Sequence, residues 1–421
     1  MRKKGGQVQG AVKAQYERFP YPPPVESLSD DFLSGRVGTD GCPSRDFHMY
    51  WPNQTMRGDL DILVAGCGSR QAVETACNLP AARITAIDLS QSSIDHSRKL
   101  AARHGIENIH FQQMSLLDVA ELGRDFDLII CSGVLHHLPV PEAGLAALRG
   151  VLRRDGSMAL MLYGRYGRDS VYLFQDIFRR MGFSPDTVTD DDLAGMVDLV
   201  RNAPAGHPHR LRQGLFSNFR PEEVVDLYLH PQDRPYTVPD ILDLLDSTGM
   251  RLQRWVRQSA YWPRCSGLAE RALSERISRL DERQQWAIAE LYAADINRHF
   301  FLACRDDRLE DTYRMDFSGG DFISYVPELR WCLSQDARMD GQPGREIGVD
   351  FAHVKASRLA LDVTQAAVVS LVDGRRSVGD IIAALAPAGE EALALSYLRE
   401  FFHELWLFDF VLFQTPMRSS A

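Results

Sequence analysis

The sequence predicts an α/β protein built on a doubly wound, mostly parallel seven-stranded sheet. An extended N-terminal lid precedes this sheet, a helical insertion interrupts it and a small C-terminal domain follows it. Three observations carry this expectation. Short apolar runs alternate with amphipathic helical stretches between residues 60 and 163, the pattern of a parallel sheet covered on both faces. The first apolar run leads straight into a Gly-x-Gly turn, and the flanking segments, 1–56 and 350–421, differ from the alternating part in composition and pattern.

The N-terminal segment 1–56 is rich in aromatics, proline and glycine. Its stretch Tyr16-Glu17-Arg18-Phe19-Pro20-Tyr21-Pro22-Pro23-Pro24 reads as extended, because consecutive prolines exclude helix. Strands are expected at Asp61–Ala65, Arg83–Asp88, 109–112, 126–131 and 157–163, with helices near 70–79, 91–104 and 142–153 between them. A mixed helical insertion is expected over 164–235, then a helix at Val238–Ser247, a strand over 250–257 and a helical region over 266–297. Arg298–Arg305 reads as a late strand returning to the sheet, which closes a domain over 57–305. Residues 306–349 are polar and suit a linker with some local structure, and 350–421 form a separate C-terminal domain.

Composition narrows the function classes. A chain of 421 residues exceeds one ordinary core. No apolar run approaches the ~18 residues that cross a bilayer, so no membrane association is expected. Met1-Arg2-Lys3-Lys4 runs into Gly-Gly-Gln rather than an apolar stretch, which argues against a signal peptide. The seven cysteines are scattered with no C-x-x-C pair. That argues for reduced thiols in the cytoplasm, and against disulfides or a zinc site. No metal is expected. A net charge of −10 disfavours a nucleic-acid partner. The one basic patch, at His207, His209, Arg210, Arg212 and Arg220, reads as a solvated loop. Oligomeric state is not legible.

The segment 61–69 is a buried strand entering a turn through Gly66, Cys67 and Gly68. Two glycines permit a tight turn and let a ligand approach the backbone at the sheet's carboxyl edge. Asp88 ends the next strand, 22 residues beyond Gly66, where an acidic group accepts hydrogen bonds from ribose hydroxyls. An adenosine-containing ligand follows. Gln71 stands where a dinucleotide fingerprint wants a third glycine for packing around a pyrophosphate, which favours a ligand without one.

Five segments resemble, in order, the class I S-adenosylmethionine-dependent methyltransferases, a Rossmann-like family. Leu63-Val64-Ala65-Gly66-Cys67-Gly68 looks like the first motif, and Ile87-Asp88-Leu89-Ser90 like the ribose-binding turn. Phe111–Leu117 resembles the adenine segment, Phe126–Leu138 the fourth-strand motif, and Leu152–Ser157 the turn before strand five. The resemblance implies S-adenosyl-L-methionine as cofactor, contacted by Gly66, Cys67, Gly68, Asp88, Leu89, Ser115, Leu116, Ser132 and Gly133. Pro20-Tyr21-Pro22, Tyr228-Leu229-His230-Pro231 and Tyr236–Ile241 are similar to one branch of the family. Val64 and Ser115 replace acidic residues common in the family, and Arg70 replaces a small one.

Methyl transfer is an in-line displacement from an activated sulfonium, so positioning and desolvation supply most of the acceleration. A base is needed only when the acceptor arrives protonated. His136 and His137 follow strand four at the reacting edge and are the candidate catalytic bases, with helix capping or packing as the alternative. Tyr163 and Arg165 at the end of strand five, with Tyr16 and Tyr21 on the lid, are candidate substrate residues. Asp373-Gly374-Arg375-Arg376-Ser377-Val378 and the late aromatic strand resemble small winged-helix domains of the PqqD type, which implies peptide binding by strand addition. A packing or dimerisation module is the alternative. The expected function is methyl transfer to a peptide or protein acceptor held partly by residues 350–421. The alternatives are a small-molecule O- or N-methyltransferase and a non-catalytic cofactor sensor.

Overall fold

The computed structural model describes residues 2–33, 41–211, 219–268, 270–330, 346–349 and 357–416. The chain forms two compact units. The first comprises residues 1–37, 58–252 and 290–306, and the second 38–57, 253–289 and 307–421. The expected basic patch includes Arg212, which lies outside the described residues, as does most of the expected linker.

The first unit is built on the sheet. The strands of the sheet are β1 (Asp61–Ala65), β2 (Arg83–Asp88), β3 (Ile109–Gln113), β4 (Phe126–Ser132), β5 (Leu152–Tyr163), β6 (Met250–Trp255, of which this unit holds Met250 to Leu252) and β7 (Arg298–Arg305). They lie in the order β3-β2-β1-β4-β5-β7-β6. β1 to β5 pair in parallel, and β7 runs antiparallel to β5. Every residue of β1 is buried, as a central parallel strand covered on both faces demands. The strand order reverses between β1 and β4, and an open α/β sheet of this kind binds ligands at the carboxyl ends flanking that reversal.

Two sequence expectations are corrected here. Tyr16 to Arg18 are not extended: they end a helix, Arg2–Arg18. The prolines begin only at Pro20, and the conformational restriction they impose reaches back one residue, leaving the proline-free stretch before it helical. The helix expected over 142–153 is Pro141–Gly150, and β5 begins five residues earlier than expected, at Leu152. A register irregularity between Phe126 and Leu128 lets the early residues of β5 join the sheet.

The insertion forms a small helical bundle of Asp169–Arg180, Asp190–Arg201 and Pro221–Tyr228. Phe174, Phe178, Leu193, Met196, Val200 and Val225 fill its core, and Phe19 packs against it.

The second unit contains helices Val363–Ser370, Val378–Leu385 and Glu391–Leu407. Strand β8 (Val326–Leu329) pairs antiparallel with β11 (Val411–Gln414), and β9 (Glu346–Val349) with β10 (Ser357–Ala360). Part of the expected linker is therefore structural: Phe322 and Tyr325 join Ile381, Phe402 and Phe413 in one core. Ser377 caps its helix, its hydroxyl accepting from the Asp380 N–H at 3.1 Å while Asp380 accepts from the Ser377 N–H at 2.8 Å. Beneath the sheet pair lies a buried ion network. Arg330 reaches Asp46 at 3.2 Å and Asp409 at 3.7 Å, and Arg254 reaches Asp409 at 3.1 Å.

Candidate active site

The turn after β1 is shaped by its two glycines. Gly66 and Gly68 have φ of +77° and +55°, the left-handed region that disfavours side chains. A Cβ on Gly66 would run into Val134, and one on Gly68 would stand 2.6 Å from the Tyr21 carbonyl oxygen. The Gly68 N–H donates to Asp88 Oδ2 at 2.8 Å and the Ser90 N–H to Oδ1 at 2.9 Å. Each carboxylate oxygen keeps a further lone pair for a ribose hydroxyl. Burial raises the Asp88 carboxyl above its ordinary range, opposed by those backbone N–H groups.

The N-terminal segment lies across this turn. Ser69 Oγ donates to the Pro22 carbonyl at 2.6 Å. The last turn of the helix Arg2–Arg18 sits on the N-terminus of helix Gln91–Arg103. Glu17 accepts from the Gln91 N–H at 2.7 Å and the Ser92 N–H at 3.0 Å, a carboxylate at the positive end of a helix dipole. The Tyr16 carbonyl accepts from the hydroxyls of Ser90 and Ser92.

That anchoring delivers the Tyr16 phenol into a buried polar cluster at the carboxyl edge of β4 and β5. Tyr16 donates to Asp226 Oδ1 at 3.0 Å and meets His230 Nε2 at 3.2 Å. The His137 and His230 rings stack at 3.7 Å, and the His136 ring lies 4.2 Å from that of Tyr163. Arg168 covers the Tyr163 face at 3.5 Å and pairs with Asp233 at 3.2 Å. One backbone residue sets the tautomers: the Gln232 carbonyl accepts from His137 Nδ1 at 2.7 Å, while the Gln232 N–H donates to His230 Nδ1 at 3.1 Å. His137 therefore keeps a lone pair at Nε2, and His230 carries its proton at Nε2.

Burial sets the charges. It pushes His136 and His230 well below the ordinary imidazole range and lowers His137, so all three are neutral at pH 7. Burial also pushes the Asp226 carboxyl up to about 7, against the Tyr16 hydrogen bond and Arg168. The buried side-chain atoms with no hydrogen-bond partner include both nitrogens of His136, Asp226 Oδ2, Asp233 Oδ1 and the Tyr236 hydroxyl.

The structure gathers Tyr16, His136, His137 and Tyr163 into this cluster, and places Gly66, Cys67, Gly68, Asp88 and Leu89 along the first two strand ends. Gly133 follows Ser132 at the end of β4, its N–H donating to Met161. Leu116 is buried at the start of a short helix that Ser115 caps, its hydroxyl accepting from the Leu117 N–H at 3.2 Å. Tyr21 is carried by the strap over Gly68. Arg165 stays outside the cluster: it is exposed and reaches Asp240 at 3.8 Å, while Arg168, one turn on, holds the inner position. Arg70 pairs with Glu74 at 3.3 Å. Cys67 is fully buried and its thiol pushed well up, unsuited to nucleophilic chemistry. Asp226, His230, Asp233 and Arg168 belong to the cluster although sequence reasoning names none of them as a site residue. His230 alone lies in a segment that the sequence reading quotes, Tyr228-Leu229-His230-Pro231, and there only for its resemblance to one branch of the family.

Comparison with known proteins agrees with this geometry. Residues 62–156 match the family described as Methyltransferase domain. The uncharacterized protein syc1184_c of Synechococcus sp. is 31% identical over 344 residues, covering 80% of this chain and 79% of that protein. A ubiquinone biosynthesis O-methyltransferase of Neisseria meningitidis is 28% identical over 96 residues, 23% of this chain and 40% of that enzyme. The structure of PKMT2 from Rickettsia typhi in complex with AdoHcy is similar in fold, with a TM-score of 0.61 at 15% identity, over 96% of this chain and 78% of that one. The glycine turn that admits no side chain, the acidic end of β2 and these likenesses lead to one assignment: the chain belongs to the same family as the Synechococcus protein and is a class I S-adenosylmethionine-dependent methyltransferase.

Proposed function

We propose that the chain methylates a nucleophilic atom of a peptide or protein acceptor, which enters the cluster at the carboxyl edge of β4 and β5. The observation that carries the reading is Asp226, a buried carboxylate held by Tyr16 with one oxygen left unpartnered beside His137 and His230. When bound, S-adenosyl-L-methionine supplies the electrophilic methyl group. Gly66, Gly68 and Asp88 would hold it, with Tyr21 and Pro22 excluding water from the turn.

The chain's own residues then have defined tasks. The acceptor atom loses its water shell on entering a cluster whose members are almost all buried. Asp226 Oδ2 takes the acceptor's proton, while the Tyr16 hydroxyl fixes the carboxylate through Oδ1. The neutral rings of His136, His137 and Tyr163 wall the pocket, and Arg168 offsets the charge of Asp233.

A peptide acceptor is supported by the second unit. Val363, Leu393 and Tyr397 are exposed on neighbouring helices, with Tyr397 reaching Gln365, on the domain whose Asp-Gly-Arg-Arg-Ser-Val turn resembles the PqqD type. The test is transfer of tritiated methyl to a peptide array beside a panel of small phenols and amines. Labelled peptides support the proposal. Label confined to the small molecules contradicts it.

A further inference from the structure

His136 is fully buried, yet neither ring nitrogen has a hydrogen-bond partner. Leaving such a group unpaired costs about 1–3 kcal/mol. Asp233 Oδ1 is in the same position, its side chain only 1% exposed. His136, His137 and Asp233 each offer one ligating atom, and the three atoms lie within 4.8 Å of one another.

We propose that His136, His137 and Asp233 bind one divalent transition-metal ion of the zinc class. The supporting bonds fit that use. His137 donates its Nδ1 proton to the Gln232 carbonyl at 2.7 Å, which fixes the tautomer and leaves Nε2 for an ion. Asp233 Oδ2 is held by Arg168 at 3.2 Å and Gln175 at 3.1 Å, leaving Oδ1 for an ion. Two imidazoles and one carboxylate suit zinc, cobalt or ferrous ions and leave open positions for water or a bound group. A tetrahedral ion with bonds of about 2.1 Å spaces its ligands about 3.4 Å apart, so side-chain shifts of roughly an ångström close the site.

A second set, His137, Asp226 and His230, lies within the same distance limit. It is chemically weaker. The Gln232 N–H occupies His230 Nδ1, so the His230 proton sits on Nε2, against the Tyr16 oxygen. An ion there would have to displace that proton and its bond. Neither set shows as a local spacing motif, because the ligands come from the short helix after β4 and from Pro221–Tyr228 and the segment after it.

The inference stands apart from the acceptor assignment. Its test is titration of the full chain, first stripped by a chelator, with Co2+ followed by visible absorption, then competition with Zn2+. Calorimetry with S-adenosylhomocysteine runs in parallel and reports the cofactor site alone. The expected result is one Co2+ per chain with ligand-field bands, no thiolate charge-transfer band, and displacement by Zn2+. Asp233→Asn and His136→Leu should weaken Co2+ by at least about 10-fold, while His230→Phe, which keeps the ring stack, retains it. Circular dichroism checks each fold, and the near-isosteric Asp233→Asn decides if His136→Leu fails to fold. The proposal is overturned if the stripped wild type binds no Co2+. It is equally overturned by a thiolate band, by unchanged affinity in Asp233→Asn, or by loss in His230→Phe.

Discussion

At the scale of single residues, two carboxylates stand in opposite surroundings. Asp226 accepts from Tyr16 in a buried pocket, and burial pushes it up to about 7. Asp61, at the amino end of β1, meets Arg83 at 2.8 Å and Arg153 at 2.9 Å and is held down at about 2. If Asp226 receives the acceptor's proton, Asp226→Asn should lower kcat by roughly 100-fold or more. Affinity for S-adenosylhomocysteine should stay within about two-fold, since Asp226 is assigned no cofactor contact. Single-turnover assays beside calorimetry check this, and an unchanged kcat would remove the base assignment. Asp61 makes a different prediction. Its folded value is depressed, so its stabilisation is complete above the ordinary carboxylate range near pH 4 and is lost as pH falls through about 2. Its arginine partners are substantially exposed, so the contribution is screened to about 1 kcal/mol. Denaturant unfolding of Asp61→Asn should show that deficit at pH 7 and a smaller one at pH 2.

At the scale of elements, the helix Arg2–Arg18 acts as a clamp. Glu17 caps the helix Gln91–Arg103, and that contact holds Tyr16 at the cluster. Glu17→Ala should cost about 1 kcal/mol locally. Amide exchange in residues 10–24 should quicken while the sheet strands keep their protection. Equal loosening of the strands would show that the helix is part of the global core.

The elements also show what was legible in the sequence. β1 and β2 begin and end where their apolar runs do, because a parallel strand covered on both faces leaves a continuous apolar run between turn residues; the antiparallel β7 also keeps its expected bounds. The glycine turn and Asp88 were legible because their spacing is local. The cluster was not. Tyr16 meets Asp226 and His230 across 210 and 214 positions, and no spacing rule links an N-terminal helix to an insertion. The end of β5 that carries Arg165 is legible, but the direction of the turn after it, which leaves Arg165 exposed and buries Arg168, is not. The helix Arg2–Arg18 was hidden by the prolines after it, which restrict only their immediate neighbours.

At the scale of the molecule, the cofactor turn lies in the first unit, and our proposal gives acceptor selection to the second. The first unit carries the glycine turn, Asp88 and the polar cluster. The second carries three helices, a sheet pair and the apolar residues Val363, Leu393 and Tyr397. Among the described residues, no helix is long and apolar enough to cross a membrane. If the second unit grips the acceptor, Leu393→Asp should raise KM for a peptide substrate about ten-fold and leave kcat and cofactor affinity unchanged. Steady-state assays over a range of peptide concentrations check it, and an unchanged KM would assign the domain another task.

The central claim is that the Gly66–Gly68 turn and Asp88 bind S-adenosylmethionine, and calorimetric titration with S-adenosylhomocysteine tests it most directly. The account predicts saturable binding of one ligand per chain, absent with NAD, and weakened about 100-fold in a folded Asp88→Ala variant through lost hydrogen bonds to a charged acceptor. Affinity unchanged by Asp88→Ala, or binding of NAD in its place, would contradict it.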